Sequence, residues 1–405
     1  MASEIRVTNI KANDGTASLT VANSNGNVSL NGTLATTGNT TIGGTLTSTG
    51  AVTFNSDFVP STPLSHRNMI INGAMQVSQR GTSFTGFGAA VNYSLDRFFN
   101  YHSSDGAFTI SQESSVVPTG FKNSLKILIT TAYASLTASQ RLIVGTRLEG
   151  NTVSHLNWGT SNAETVTLSF YVRSSITGTH GGAINNGSDN RSYPFTYTIN
   201  SNNTWERKSI TVAGDQSGTW ATDNGRSLQV IWGLGAGTSF SASAGAWGAG
   251  DISSATGATT AVLGTVDSTW YLSGVQLEVG NVATPFEHRS YADELARCQR
   301  YYYAHKLANG TSDYLFGSSN RGSNARNNTW YTLPTTMRSA PTVTWTDGSG
   351  NASKFTYHGS NLGNGANHSL SAYSQQHTIN KLMWITDPYT GYDFYIYNLK
   401  VDAEL

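Results

Sequence analysis

Seven stretches of this chain alternate apolar and polar residues, or run apolar for a few positions, before Gly, Ser, Thr, Asn or Pro closes them off. They are SLKILIT (124–130), RLIVGTRL (141–148), TVTLSFYVRS (165–174), YPFTYTI (193–199), RKSITVA (207–213), RSLQVIWGL (226–234) and TWYLSGVQLEV (269–279). A period of two sends successive side chains to opposite faces of an extended backbone, so each run predicts a strand with one face on a core. In TVTLSFYVRS, Val166, Leu168, Phe170 and Val172 take one face and Thr167, Ser169, Tyr171 and Arg173 the other, the pattern of a half-buried strand. No helical pattern intervenes, which predicts a single antiparallel sandwich, a jelly roll. Trp232 and Trp270 lie inside apolar runs and are expected in its core.

Composition fits strands joined by turns. Gly supplies 42 of 405 residues, above the usual ~7 %, and turns are where such residues are used. Charged residues are only 12 %, and 24 Lys and Arg balance 24 Asp and Glu. With no net charge and no long like-charge run, nucleic acid and anionic membrane surfaces are excluded as expected partners. The single cysteine, Cys298, excludes an internal disulfide framework. No run approaches the ~18 apolar residues of a spanning helix, so no membrane insertion is expected. The opening MASEIRVTNIKANDG lacks an apolar signal core, so no cleaved secretion signal is expected either.

Residues 1–60 differ from the rest. GTLATTGNTTIGGTLTSTGAVTF (32–54) repeats a GTL motif from Gly32 to Gly44, and its large apolar residues, Leu34, Ile42, Leu46, Val52 and Phe54, come singly. One copy has too little apolar surface to offset the entropy of ordering its backbone. Three copies in register would bring those residues to a common axis, so the segment predicts a short β stalk that folds as a homotrimer, with Leu34, Ile42, Leu46 and Phe54 at the interface. A flexible polar linker is the alternative reading, since two repeats are few.

PSTPLSHRN (60–68) breaks the composition, placing the jelly roll at 61–289. SYADELARCQRYYY then predicts a connecting helix over 290–303. Ser290 is its cap, Asp293 and Glu294 sit where the dipole favours anions, and Arg297 and Arg300 follow. Leu295, Cys298, Tyr302 and Tyr291 share a face at helical spacing, and Leu295 and Tyr302 are expected to pack near a three-fold axis. Residues 304–405 return to strand patterns rich in aromatics (SDYLFGSS, NTWYTLP, APTVTWT, SKFTYHG, NKLMWIT, YDFYIYNLKVDAEL), a C-terminal β-sandwich. The fold class expected is therefore all-β: short N-terminal stalk, antiparallel jelly roll, one helix, second sandwich.

NMIINGAMQVSQRGTSF, YSLDRFF, TVTLSFYVRSS, WERKSITVAGDQSGTW and WYLSGVQLEVGNVATPFEHRSYADELARCQRYYY together resemble a tail-fibre family of bacteriophage and prophage structural proteins. The central part is similar to the carbohydrate-binding jelly rolls attached to some glycoside hydrolases, and MASEIRVTNIKANDG resembles the N-termini of phage fibres. The likeness covers roughly 66–303 and, by pattern, the stalk. It implies a virion appendage, commonly trimeric, joined through its N-terminal segment to a tail or capsid protein, assembled in the host cytoplasm, with a distal end that meets host polysaccharide. It also favours residues 304–405 as the receptor-binding part, because the jelly roll is the part shared with other phage proteins.

Three residue classes could carry chemistry. Paired carboxylates would be needed for glycoside cleavage. Glu149, Glu164, Glu206 and Asp223 read as surface residues, and Glu278 and Glu287 as partners of Arg289 or caps, so no catalytic residue is expected. The nine histidines have no H-E-x-x-H spacing and no nearby cysteine, so neither a metal nor a cofactor is expected. GLGAGTSF (233–240) does not lead into a helix and is no nucleotide fingerprint, and NNGSDN (185–190) reads as a solvated loop before it reads as a calcium site. Aromatic rings stack on the apolar faces of sugars without needing charge. Trp158, Trp220, Trp247, Trp330 and Tyr389 stand among turn residues, and with Tyr331, Arg321 and Arg326 they are the candidate glycan contacts; most of the loop tryptophans are better read as packing plugs or contacts between copies of the chain, and the loop bearing Arg321 and Arg326 reads equally as a solvated turn. The expected function is adhesion of a trimeric fibre to a surface glycan. A capsid-attached decoration fibre and a polysaccharide-degrading tailspike stay open.

Overall fold

The computed structural model describes residues 65–258, 261–305, 327–347, 350–359, 368–371, 374–386 and 392–405. Leu34, Ile42, Leu46, Phe54, Arg321, Arg326 and Tyr389 lie outside the described residues, as does SDYLFGSS. Two antiparallel sheets form the sandwich. One has six strands in the order Ser83–Phe84, Ala107–Glu113, Ser124–Thr131, Thr269–Val279, Val166–Ser174 and Glu206–Val212. The other has seven, in the order Gly248–Ala249, Arg191–Ile199, Gly178–Asn186, Arg226–Ala236, Arg141–Glu149, Phe98–His102 and Asn92–Tyr93. Each of the seven runs read from the sequence is one of these strands. The last of them, Thr269–Val279, inserts at the centre of its sheet. This all-β, jelly-roll sandwich is the fold class expected.

The core lies between the sheets, where Phe170 meets Trp232 edge-on at 5.4 Å and Trp270 donates its indole N–H to the Tyr197 hydroxyl at 3.2 Å. Trp232 and Trp270 are fully buried. One face of Val166–Ser174 departs from the half-buried expectation. Thr167 and Ser169 are buried as well, because the chain after Val279 folds back over them and Gly280 accepts the Thr167 hydroxyl at 2.8 Å. Gly274 sits in a bulge of the central strand with φ +60°, where an added Cβ would lie 2.7 Å from the Phe121 ring. Only glycine meets both demands.

The stretch after residue 65 is irregular yet buried, and two asparagines supply the hydrogen bonds it cannot make as a strand. Asn68 Nδ2 donates to Val275 O (3.0 Å) and its Oδ1 accepts from Ile70 N and Leu277 N; Asn72 Nδ2 donates to both Val77 O and Asp96 O (2.8 Å each). The Asn72 N–H in turn donates to Glu294 Oε1 at 2.7 Å, tying this stretch to the helix. Arg289 completes the staple, donating to Ile70 O and lying 3.5 Å from Glu294.

The helix is shorter than expected, Tyr291–Gln299, with Ser290 Oγ accepting the Asp293 N–H at 3.2 Å as its cap. Its buried residues are Glu294 and Cys298, whereas Leu295 is half-buried and Tyr291 exposed. Residues 302–303 were expected to be helical. They begin the strand Tyr302–His305 instead, because pairing with Tyr397–Asp402 captures their backbone. Tyr302, expected between copies of the chain, is buried within its own, under the Arg80 guanidinium at 3.5 Å.

Three small antiparallel sheets follow: Tyr302–His305 and Thr342–Thr346 flanking Tyr397–Asp402; Asn327–Thr332 and Ser374–His377 flanking Lys381–Thr386; His368–Ser371 and Tyr392–Tyr395 flanking Lys354–Gly359. Trp345, Trp384, Leu382, Leu399 and Val401 are among the residues of a second core. Residues 402–405 return to the sandwich. Glu404 pairs with Arg97 and with Arg80 (3.4 Å), Arg97 stacks on Tyr301 at 3.5 Å, and the Tyr93 hydroxyl donates to Leu405 O at 2.8 Å. No helix among the described residues is long and apolar enough to cross a membrane.

Candidate functional site

Of the residues singled out in the sequence, Trp158, Trp220 and Trp247 come together. Their ring centroids are 4.7, 5.3 and 5.5 Å apart, and each ring is nearly perpendicular to the next. Gly159 (φ +87°) lets the two tryptophan-bearing loops meet, since a Cβ there would lie 2.8 Å from Gly218 O. Each indole N–H donates to a main-chain oxygen: Trp158 to Glu164, Trp220 to Ser217, Trp247 to Ala213. Trp158 is buried and offers no face to a ligand; Trp220 and Trp247 are half-buried. Edge-to-face packing of this kind stabilises the loops at the sandwich edge, so the trio is first a plug.

Trp330 and Tyr331 alternate across one strand and so point to opposite faces. Trp330 is 51 % exposed, with the Lys381 ammonium 3.9 Å from its ring centre. Tyr331 is half-buried, stacked on Tyr303 and sharing a hydrogen bond between the two hydroxyls.

A groove that the sequence did not single out lies on the outer face of the Tyr302–His305, Tyr397–Asp402, Thr342–Thr346 sheet. Alternation carries Thr342, Thr344 and Thr346 to this face, and register sets Thr344 and Ala304 on either side of Lys400 and Thr342 and Tyr302 on either side of Asp402. Asn398, in the left-handed region at φ +45°, donates from Nδ2 to Thr346 Oγ1 at 3.2 Å. Arg80 comes from the sandwich and roofs one end, held 3.2 Å from Asp402 and flat on Tyr302. The resulting cavity of about 360 Å³ is lined by Arg80, His305, Thr344, Trp345, Thr346, Asn398 and Lys400 among others. Burial pushes the His305 imidazole below its ordinary value, so at neutral pH it is uncharged, and its Nδ1 lies 3.4 Å from the Tyr303 hydroxyl. Hydroxyl, amide, guanidinium and ammonium groups therefore line one small volume, with His305 at its border, and the described lining residues include no carboxylate. Each strand shows its alternation in sequence; the pairing of 342–346 with 397–402, and the return to Arg80, are long-range and leave no local signal.

The carboxylates have other partners. Glu149, expected at the surface, is buried and accepts from Arg300 Nε (3.0 Å) and the Tyr301 hydroxyl (2.8 Å). Burial alone would raise it, but Arg300, Tyr301 and Asn151 outweigh that and hold it below the usual carboxylate range. Glu206 is likewise lowered, to about 2: burial opposes, while Lys208 and the Ser201 and Asn200 amides prevail. Glu278 accepts from Thr284, and Glu287 accepts the Asn68 N–H at 2.8 Å beside Arg289. Glu164 and Asp223 are exposed. In the NNGSDN loop, Asp189 is taken by Arg226 (2.6 Å) and Gln229. No group of three or more His, Cys, Asp or Glu suited to a metal ion occurs among the described residues.

No protein-family model and no curated protein matches the sequence. Among solved structures the chain is similar to the enzymatically active domain of bacteriophage CBA120 tailspike protein 4, at 8 % identity and TM-score 0.28, over 53 % of this chain and 21 % of that one. It is also similar to a family 11 carbohydrate-binding module from Clostridium thermocellum in complex with a mixed-linked tetrasaccharide, at 10 % identity and TM-score 0.26, over 50 % of this chain and 98 % of that one. A third similarity is to the arabinose-bound α-L-arabinofuranosidase MgGH51, at 14 % identity and TM-score 0.30, over 58 % and 30 %. The chain thus spans about a fifth of the tailspike domain and under a third of the arabinofuranosidase. Likenesses this loose leave the functional argument on the chain's own residues.

Proposed function

We propose that this chain is an adhesive subunit of a bacteriophage fibre that binds a surface glycan through the groove beside Arg80 and Lys400. The observation that carries the reading is the groove's lining. Polar groups of both hydrogen-bonding senses, fixed on paired strands, suit a polyhydroxylated ligand. The phage setting is supported by the resemblance of residues 66–303 to tail-fibre proteins. On this reading residues 1–60 join the virion and assemble the chain as a homotrimer, so that weak single-site contacts are multiplied by avidity.

The test is binding of the full-length chain to an array of bacterial envelope polysaccharides. Thr344→Val and Asn398→Ala should each weaken binding about threefold to tenfold, the worth of one net hydrogen bond, while leaving the circular dichroism spectrum unchanged. Failure to bind any polysaccharide, or undiminished binding by the double variant, would sink the reading. A monomer in sedimentation of the full-length chain would remove its trimeric part.

A further inference from the structure

We infer that the groove selects an acidic sugar, one carrying a carboxylate beside its hydroxyls, with Lys400 as its ion partner. The inference rests on the glycan-binding reading above and goes beyond it by naming the ligand's charge. The argument is one of which charges are already matched. Arg80 contacts Asp402 at 3.2 Å and Glu404 at 3.4 Å, and Glu404 is shared with the buried Arg97. His305 is uncharged at neutral pH. Lys400 alone among the charged lining residues makes no ion pair with any described residue, and it is exposed.

Its surroundings fit the shape of such a ligand as well as its charge. Lys400 is exposed and stands in a cross-strand row between two small residues, Ala304 and Thr344. Thr344, Thr346 and Asn398 lie on the same side, placed to meet the ring hydroxyls of a sugar whose carboxylate points at Lys400. In a chain with only 12 % charged residues, a cation with no ion partner among the described residues, lining a cavity, is a specific feature rather than part of a general basic surface. A lysine meets a carboxylate as a point charge without demanding bidentate geometry, so the charge should survive Lys400→Arg.

The experiment uses a glucuronate-containing tetrasaccharide and the same molecule with its carboxyl groups reduced to alcohols, each titrated calorimetrically into the full-length chain at neutral pH. Reduction changes the charge and little else. The acidic form should bind about tenfold tighter, as expected for a charge-assisted hydrogen bond over a neutral one, and the difference should shrink as salt is raised. Lys400→Ala should erase the preference while keeping the affinity for the reduced sugar, and Lys400→Arg should keep the preference. Equal binding of the two sugars by the unmodified chain, or a preference that survives Lys400→Ala, overturns this inference and leaves the glycan-binding reading standing. Binding of neither sugar, if the envelope polysaccharide array is also blank, overturns both.

Discussion

Glu149 illustrates how one residue changes meaning when its neighbours are known. In sequence it closes an alternating strand beside Gly150, the setting of a surface carboxylate. In the folded chain it receives Arg300 and Tyr301 from beyond the helix, with only 2 % of its side chain exposed. Glu149→Gln should cost about 2 kcal/mol, less than the ~3–5 kcal/mol of breaking a fully buried pair because a third of Arg300 is in water. Its pH dependence has a definite sign. A carboxylate held below its ordinary value of 4.5 contributes stability that is present above that value and is lost as pH falls through the lowered one. Urea unfolding of the unmodified chain and of Glu149→Gln should therefore differ at pH 7 and converge in strong acid. A gap that stays constant from pH 7 to pH 2 would show that the ion pair is not its source. Trp158 shows the other side: among Asn and Gly it reads either as a ring presented by a loop or as a packing plug, and two other tryptophans distant in sequence close over it.

At the scale of elements, legibility followed the strength of the local pattern. Arg226–Ala236 and Thr269–Val279 announce themselves because their apolar residues alternate over many positions. Gly178–Asn186 does not: GTHGGAINN has almost no apolar alternation, and Gly182 is needed because a Cβ there would meet the Phe195 ring at 2.5 Å. The helix was legible at its start and not at its end. Its cap is a local interaction of Ser290 with Asp293, whereas its stop is imposed by strand pairing with residues a hundred positions away. Ser290→Ala should thus cost about 1 kcal/mol in chemical denaturation, and Ser290→Asp should recover most of it. If alanine is neutral, the oxygen seen accepting the Asp293 amide is not holding the first turn. The groove has the same limitation as the helix end, since Thr344, Lys400 and Arg80 share no sequence neighbourhood.

Two main cores lie among the described residues, and a clasp built from residues 402–405 is one of the links between them. Tyr397–Asp402 is the middle strand of its small sheet, and the residues that follow it insert Glu404 against Arg97 and Arg80 of the sandwich. Arg97 has 2 % of its side chain exposed and Glu404 4 %, so neither charge can turn to water if its partner is removed. Removing one member of such a pair costs about 3–5 kcal/mol, whereas replacing both with apolar groups of similar size is close to neutral. Because the clasp is one place where the small core meets the large one, its loss should weaken their coupling more than either core alone. The described residues should melt as one calorimetric transition in the unmodified chain. Glu404→Ala should split it, with the small sheets melting first and the sandwich near its original temperature. Arg97→Met combined with Glu404→Leu should bring the two transitions back together, which separates the burial of an unpaired guanidinium from simple loss of contact. One unshifted transition in Glu404→Ala would mean that the stacked Tyr301 and Tyr302 rings and the main-chain bonds of 403–405 suffice, and that the ion pair is incidental to the coupling.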